Sequence, residues 1–274
     1  ILERVRSCEM EVVEVLHMVE GEGETSYASN SSLQKKAIVK AKPIVEQALV
    51  DLYSSILPQS LAVVDLGCSS GPNTFLVAGD IIGVIGETCR RLGRAPPEMQ
   101  YFLNDLSGND FNTLFRHLAS FQEKLEEGKG EGVVPFYATG VPGSFYKRLF
   151  PKGSIHFAHS SCSIHWLSQV PRGLEGKSDA PLNKQNIYLS TTSPFVVFQL
   201  YLEQFQRDFT QFLKLRSEEI VLNGCMVLVL FGRENSDPLY GGCQALCKLL
   251  ADALNDMAFE GIIKQEKVDS FNLP

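Results

Sequence analysis

Two acidic side chains stand where two short apolar runs end. Leu61-Ala-Val-Val-Asp65 passes into Leu66-Gly-Cys-Ser-Ser-Gly-Pro-Asn73, and Met99-Gln-Tyr-Phe-Leu103 passes into Asn104-Asp105-Leu106. A carboxylate in such a place can pair with a cation or accept hydrogen bonds from hydroxyls, and glycines beside it let backbone and ligand approach closely. The spacing Asp-x-Gly-x-x-x-Gly departs from the dinucleotide fingerprint Gly-x-Gly-x-x-Gly because Ser69 takes the place of the middle glycine, so a pyrophosphate cradle is disfavoured.

Asp65 instead suits a ligand that carries an ammonium group, such as the methionine half of S-adenosylmethionine (SAM), and Asp105 suits a ribose diol. Both stretches also have a plain reading. Residues 65–73 would be an ordinary strand-to-helix turn, and Asp105 a cap for a helix over residues 108–120.

A second cluster of polar and aromatic groups fills residues 159–168, His-Ser-Ser-Cys-Ser-Ile-His-Trp-Leu-Ser. Trp166 is the sole tryptophan. Its indole offers one N–H donor on a large apolar plate, which orients a carboxylate as readily as it fills a core. His156, His159 and His165 make a poor zinc set, since positions 156 and 159 do not share a strand face and no acid lies at a metalloenzyme spacing. Upstream, residues 17–34 are polar and glycine-rich but interleave Tyr27, Asn30 and Gln34, which favours a lid over a flexible arm.

The elements that must position these groups alternate in type. Residues 61–64 and 99–103 read as buried strands, and Pro72 sets the first turn of a helix that closes on Arg90, Arg91 and Gly93. Pro43 suits an early helix turn. Residues 122–132 read as a charged loop, 133–137 and 154–158 as strands, 172–185 as a polar loop, and 186–190 as a strand or an extended lead into a long helix from Pro194. On that helix Phe198, Leu202, Phe205, Phe209 and Phe212 recur at helical steps and read as its core stripe. Asn223-Gly224 reads as its stop, residues 225–231 as a strand buried between helix layers, and 242–259 as an amphipathic helix. The alternation predicts an α/β fold, a doubly wound and mostly parallel sheet with a helical cap over its ligand edge.

Composition narrows the function. The 274 residues, 44% hydrophobic and 21% charged, suffice for one large α/β domain with a cap or for two smaller domains. A net charge of −7 without clustered Lys and Arg argues against a nucleic-acid partner. Seven scattered cysteines read as free thiols in a reducing compartment. No apolar run approaches the roughly 20 residues of a membrane span, and the first thirty residues lack a signal-peptide core, so a cytoplasmic location is expected. The chain opens on Ile1; Met10 suits a natural start, with residues 1–9 extraneous.

Taken together, Asp65-Leu-Gly-Cys-Ser-Ser-Gly-Pro-Asn73, Asn104-Asp-Leu-Ser-Gly-Asn-Asp-Phe-Asn112, Val141-Pro-Gly-Ser-Phe-Tyr146 and His165-Trp-Leu-Ser-Gln-Val-Pro171 resemble the SABATH family of plant methyltransferases. These act on salicylate, benzoate, jasmonate, indole-acetate and theobromine-type substrates. The resemblance spans residues 10–274. It implies one SAM-dependent methyltransferase domain, with a lid over residues 10–36 and a partial helical cap. It implies SAM contacts from Tyr27, Asp65, Cys68, Asn73, Asp105, Leu106, Ser144 and Phe145, and an acceptor wall of Gln34, Cys162, His165 and Trp166. Gln34 and Trp166 would orient an acceptor carboxylate. That carboxylate is already ionised at neutral pH, so no general base is expected. The resemblance further implies a Mg2+ site at Asn186, Asp269, Phe271 and Asn272, and it is compatible with a homodimer.

Where salicylate-type members carry lysine, tyrosine and methionine, this chain has Val19, Cys162 and His165. The small Cys162 beside His165 resembles the jasmonate-type pattern and implies room for a bulkier or flexible acid. The expected activity is carboxyl methylation of a small plant acid. N-methylation of a xanthine-like heterocycle is the alternative, and a truncated, non-catalytic ligand-binding homologue a third reading. Chains of the family normally continue beyond the position of Pro274, so a C-terminally incomplete protein with an open sheet edge, low stability and weak turnover is expected.

Overall fold

The computed structural model describes residues 17–21, 23–127, 134–176, 180–232, 237 and 242–274; Met10, Val133 and residues 128–132, on which parts of the sequence reading rest, lie outside them. Among the described residues, five strands form one sheet: β1 (Ser60–Leu66), β2 (Glu98–Asp105), β3 (Phe136–Pro142), β4 (Ile155–Ser161) and β5 (Ile220–Val229). Their order is β3-β2-β1-β4-β5, and every pairing is parallel. The chain therefore steps outward from β1 in one direction and then reverses, leaving the carboxyl end of β1 at the switch point where open α/β sheets bind ligands. There Asp65 stands level with Leu103 of β2 and His159 of β4.

The helices, in chain order, are α1 (Tyr27–Asn30), α2 (Ser32–Ile56), α3 (Asn73–Arg91), α4 (Phe111–Glu127), α5 (Phe195–Glu219), α6 (Gly242–Phe259) and α7 (Gln265–Ser270). Alternate sheet residues Leu61, Val63, Met99, Tyr101, Leu103 and Phe157 share one core with Leu49 and Leu52 of α2, Ile81 and Ile85 of α3, and Leu114 of α4. Ala62, Val64, Leu66 and Ala158, of the opposite parity, are also buried, as expected of a parallel sheet covered on both faces. Pro43 lies well inside α2 rather than in its first turn. The stripe of Ile38, Val45, Leu49 and Leu52, buried along the helix, offsets the roughly 3 kcal/mol that an interior proline costs.

Several sequence expectations shift. Residues 122–127 continue α4 instead of forming a loop, and β3 starts three residues later than 133 and runs through Pro142. No strand forms at 186–190. Asn223-Gly224 does not stop the long helix, which gives way to β5 at Ile220. The pair instead kinks the strand. Asn223 takes φ 65, the register slips between Ile155/Ile220 and Phe157/Cys225, and a Cβ on Gly224 would stand 2.8 Å from the His156 carbonyl oxygen. Nor is β5 a fully buried strand, since its residues are half-buried or exposed at the sheet edge.

The core stripe of α5 is also displaced. Leu202 is 57% exposed, whereas Val197, Tyr201, Gln204, Asp208, Phe212, Arg216 and Glu219 are buried, so the inward face lies one residue from the hydrophobic stripe and is half polar. Hydrophobic periodicity cannot find a face whose buried members are ionised or amide side chains held by hydrogen bonds.

The described residues fall into two compact units, one of residues 17–165 and 211–230, the other within 166–210 and 231–274. The first holds the sheet. The second has its own small core of Leu167, Leu174, Val197 and Tyr201. No helix among the described residues is long and apolar enough to cross a membrane.

Candidate functional site

The glycine turn after β1 is fixed by the end of β2. The Asn104 carbonyl accepts from the N–H groups of Gly67 and Cys68, both at 2.9 Å, while its amide Nδ2 donates to the carbonyls of Val141 at 2.8 Å and Gly143 at 2.9 Å. Gly143 N–H returns to the Asp105 carbonyl at 2.8 Å. One asparagine thus laces the ends of β1, β2 and β3. Gly67 at φ 80 and Ser69 at φ 57 make the sharp turn, and a Cβ on Gly67 would be built into the Ser163 side chain.

The two strand-end acids have different surroundings. Asp105 accepts from Ser69 N–H at 2.7 Å and Leu106 N–H at 2.8 Å, and burial raises its pKa against the lowering effect of those donors. It is not the cap of the following helix; Asp110 fills that role, accepting from Thr113 N–H at 2.9 Å. Asp65 is buried and tied to the scaffold through both oxygens, to Thr74 Oγ1 at 2.6 Å and His159 Nδ1 at 2.8 Å. His156 Nδ1, by contrast, accepts from Ala62 N–H at 3.1 Å, so the histidines at 156 and 159 serve different neighbours.

The segment before α2 lies against this turn. Ser26 caps α1, and the Tyr27 ring comes within 3.1 Å of a Cβ built on Gly71. Asn73 donates to the Ser31 hydroxyl at 3.0 Å, and its amide near Tyr27 acts to lower the phenol pKa. Gly21 N–H donates to Asp110 at 3.2 Å, and His17 packs on Gly108. Burial pushes the Tyr27 phenol up to about 12, with Cys162, Asp65 and Asp105 adding negative charge nearby. Tyr27, Asp65, Cys68, Asn73, Asp105 and Cys162 are therefore one neighbourhood. Phe145 joins it, its ring 3.7 Å from a Cβ on Gly67. Sequence alone does not single out Asn104, Asp110 or His17, although Asn104 and Asp110 stand within the stretch Asn104–Asn112. Asparagine and aspartate at strand ends look like turn residues until their partners are known.

Buried polar atoms collect here. Ser69 Oγ, Ser70 Oγ, Asn104 Oδ1 and Asn109 Oδ1 are enclosed without a hydrogen-bond partner among the described residues. Such atoms at a sheet's ligand edge fit a polar small molecule that brings its own donors. With the acid at Asp105 and the aromatic rings of Tyr27 and Phe145, the set suits a nucleoside with a charged tail.

Of the acceptor-wall residues, Gln34 is half-buried on α2. Cys162 is half-buried at φ 58, and burial pushes its thiol pKa up. His165 keeps exposed surface, yet desolvation by the atoms around its ring lowers its pKa. Trp166 is half-buried and is the first residue of the second unit.

The four residues of the expected Mg2+ site are engaged otherwise. Asp269 Oδ1 accepts from Gln185 N–H at 3.2 Å and Gln265 Nε2 at 3.0 Å, Asn272 Oδ1 accepts from Asn183 at 2.8 Å, and Asn186 exchanges hydrogen bonds with Thr192. Phe271 N–H bonds the Val268 carbonyl. With one carboxylate, and with side-chain oxygens of Asp269, Asn272 and Asn186 turned to N–H or O–H donors, this is a hydrogen-bonded clasp rather than a cage fitted to a divalent cation.

A family model described as SAM dependent carboxyl methyltransferase matches residues 13–274. A benzoic acid/salicylic acid carboxyl methyltransferase of Petunia hybrida is 52% identical over 265 residues, 97% of this chain and 72% of the relative. A probable jasmonic acid carboxyl methyltransferase of Theobroma cacao is 51% identical over 97% of this chain and 71% of its own length. Among solved structures, a loganic acid methyltransferase with S-adenosylhomocysteine superposes at a TM-score of 0.81 with 38% identity, over 94% of this chain and 71% of that one.

Proposed function

The chain belongs to the SAM-dependent carboxyl methyltransferases, the SABATH proteins, and from that premise we propose that it esterifies a small plant carboxylic acid bulkier or more flexible than salicylate. The observation that carries the acceptor class is Cys162, a small side chain, half-buried beside the Tyr27 neighbourhood. A jasmonate-like acid suits the space it leaves.

We assign SAM to the turn of Gly67–Asn73. Asp105 would accept the ribose diol, Ser144 and Phe145 would flank the nucleoside, and the orphaned hydroxyls of Ser69 and Ser70 would meet polar atoms of the ligand. Tyr27, Cys68, Asn73 and Leu106 complete that wall, and the clamped side chain of Asp65 would face the ammonium end. When bound, SAM supplies an electrophilic methyl on a sulfonium, so that an ionised carboxylate can take it without a proton transfer. The residues of the chain then position and exclude water. Gln34 Nε2 would hold the carboxylate, and His165, neutral above its lowered pKa, would set acceptor preference; the Trp166 indole N–H is a further donor of the kind a carboxylate takes. We read the described part of residues 10–36 as the lid of a single methyltransferase domain. No step runs through Mg2+.

The test is methyl transfer from labelled SAM to a panel of jasmonate, benzoate, salicylate and xanthine acceptors, with SAM-product binding measured calorimetrically on the same sample. Ester formation with jasmonate-like acids above salicylate is expected. A preference for salicylate would overturn the acceptor reading, and N-methyl products would overturn the reaction class.

A further inference from the structure

Among the described residues Arg216 is the largest fully buried side chain, and nothing in the proposed chemistry uses it. It lies on the last turns of α5, beside Glu219, which is equally buried. Its Nη1 donates to the Phe145 carbonyl at 2.9 Å and its Nη2 to the Lys147 carbonyl at 3.1 Å. Glu219 takes the complementary role, one oxygen accepting from the N–H groups of Leu149 at 2.8 Å and Phe150 at 3.1 Å. The other oxygen meets Arg216 Nε at 2.9 Å, an ion pair off the line of an N–H···O bond. Between them the two side chains grip the backbone of residues 145–150, just after β3.

The same segment is braced from its side chains. The Phe145 ring stacks edge-on against Phe212, centroids 6.0 Å apart, and the Arg216 guanidinium lies 5.3 Å from the Phe212 ring centroid. The Tyr146 hydroxyl donates to the Ile164 carbonyl at 3.2 Å, and Arg148 reaches Glu218 at 2.6 Å. Removing either partner of a buried ion pair leaves the other charge uncompensated in the interior.

We propose that Arg216 and Glu219 are positioning residues for methyl transfer, a charged clasp on α5 that presets the loop carrying Ser144 and Phe145 for the nucleoside of SAM. This rests on the reading that those two residues contact the cofactor. The clasp presents two carbonyls to one planar fork, which a lysine ammonium cannot span in the same way. The loop is then ordered before the cofactor arrives, and its ordering is not charged against binding.

The test compares the unaltered protein with Arg216→Lys and Phe145→Ala, using S-adenosylhomocysteine calorimetry, steady-state kinetics and amide hydrogen exchange. For folded Arg216→Lys the expected result is cofactor affinity weakened by about tenfold with a matching rise in KM for SAM, as lost charge-assisted bonds to the loop imply. KM for the acid should stay within about twofold. In the unaltered, cofactor-free protein the amides of Leu149 and Phe150 should already be protected, and in Arg216→Lys that protection should fall. Unchanged cofactor affinity in folded Arg216→Lys would overturn the clasp. So would unprotected Leu149 and Phe150 amides in the unaltered protein, a measurement that decides even where the variant fails to fold. Phe145→Ala separates the two claims: if it binds the cofactor normally, the contact assigned to Phe145 fails, whereas the exchange data judge the clasp itself.

Discussion

His159 Nδ1 lies 2.8 Å from Asp65 Oδ1, with both side chains buried at the carboxyl ends of neighbouring strands. The Thr74 hydroxyl holds the other oxygen at 2.6 Å. The acid that opens the glycine turn is thus clamped from β4 and α3 before any ligand is considered. Removing the imidazole leaves a buried carboxylate one donor short, which costs about 1–3 kcal/mol. His159→Ala should lower stability by that amount in urea titrations and weaken cofactor binding, while His159→Asn, able to offer an amide N–H, should recover part of both. An alanine variant as stable as the unaltered protein would show that the contact contributes nothing.

His165, Cys162 and Tyr27, which we assign to the acceptor and cofactor, have pKa values displaced away from neutral pH. His165 is pulled below the ordinary histidine value by desolvation, Cys162 is raised by burial, and Tyr27 is pushed up to about 12. With the acid substrate already ionised, kcat should be flat from about pH 7 to about pH 9. A rate that climbs tenfold per pH unit across that window would reveal a general base, and the mechanism without one would have to be abandoned.

Asp105 gives the opposite behaviour at acid pH. Burial raises its pKa, so in the cofactor-free protein it takes up a proton at a higher pH than a free aspartate does. A ribose diol donates to the ionised form, so cofactor affinity should be full above the raised pKa and fall as the pH drops through it. Its effect on stability has the reverse sign: the contribution is full below the unfolded pKa, near 3.9, and is lost as pH rises through the folded one. Calorimetry with S-adenosylhomocysteine from about pH 4 to about pH 7.5 should show the fall in affinity. Asp105→Asn should bind more weakly and without that slope; a slope that survives the substitution assigns it to another group.

The sequence is most legible where one residue type has one use. The apolar runs before Asp65 and Asp105 are the strands β1 and β2, and residues 242–259 are helix α6. The face of α5 was not legible, because Arg216, Glu219, Gln204 and Asp208 are buried through partners far away in the chain. Asp208, for example, is matched by Ser168, whose N–H donates to it at 2.8 Å. The site divides in the same way. Glycine spacing marks the turn at residues 67–71, but that Asn104 laces three strand ends depends on register, which spacing alone does not carry.

Gly67 offers the sharpest test of the turn itself. Its φ of 80 disfavours any other residue, and a Cβ there would occupy the space of the Ser163 side chain, whose hydroxyl donates to the Gly67 carbonyl at 3.1 Å. Gly67→Ala therefore meets two penalties, a left-handed backbone worth roughly 1–2 kcal/mol and a steric clash. The clash has one source and the backbone penalty another, so they separate. Ser163→Gly in the Gly67→Ala background removes the clashing atoms and should restore most of the lost cofactor affinity, while leaving the backbone cost visible in thermal unfolding. If the double variant binds no better than Gly67→Ala alone, the turn fails through its backbone, and the Ser163 packing drops out of the account of the site.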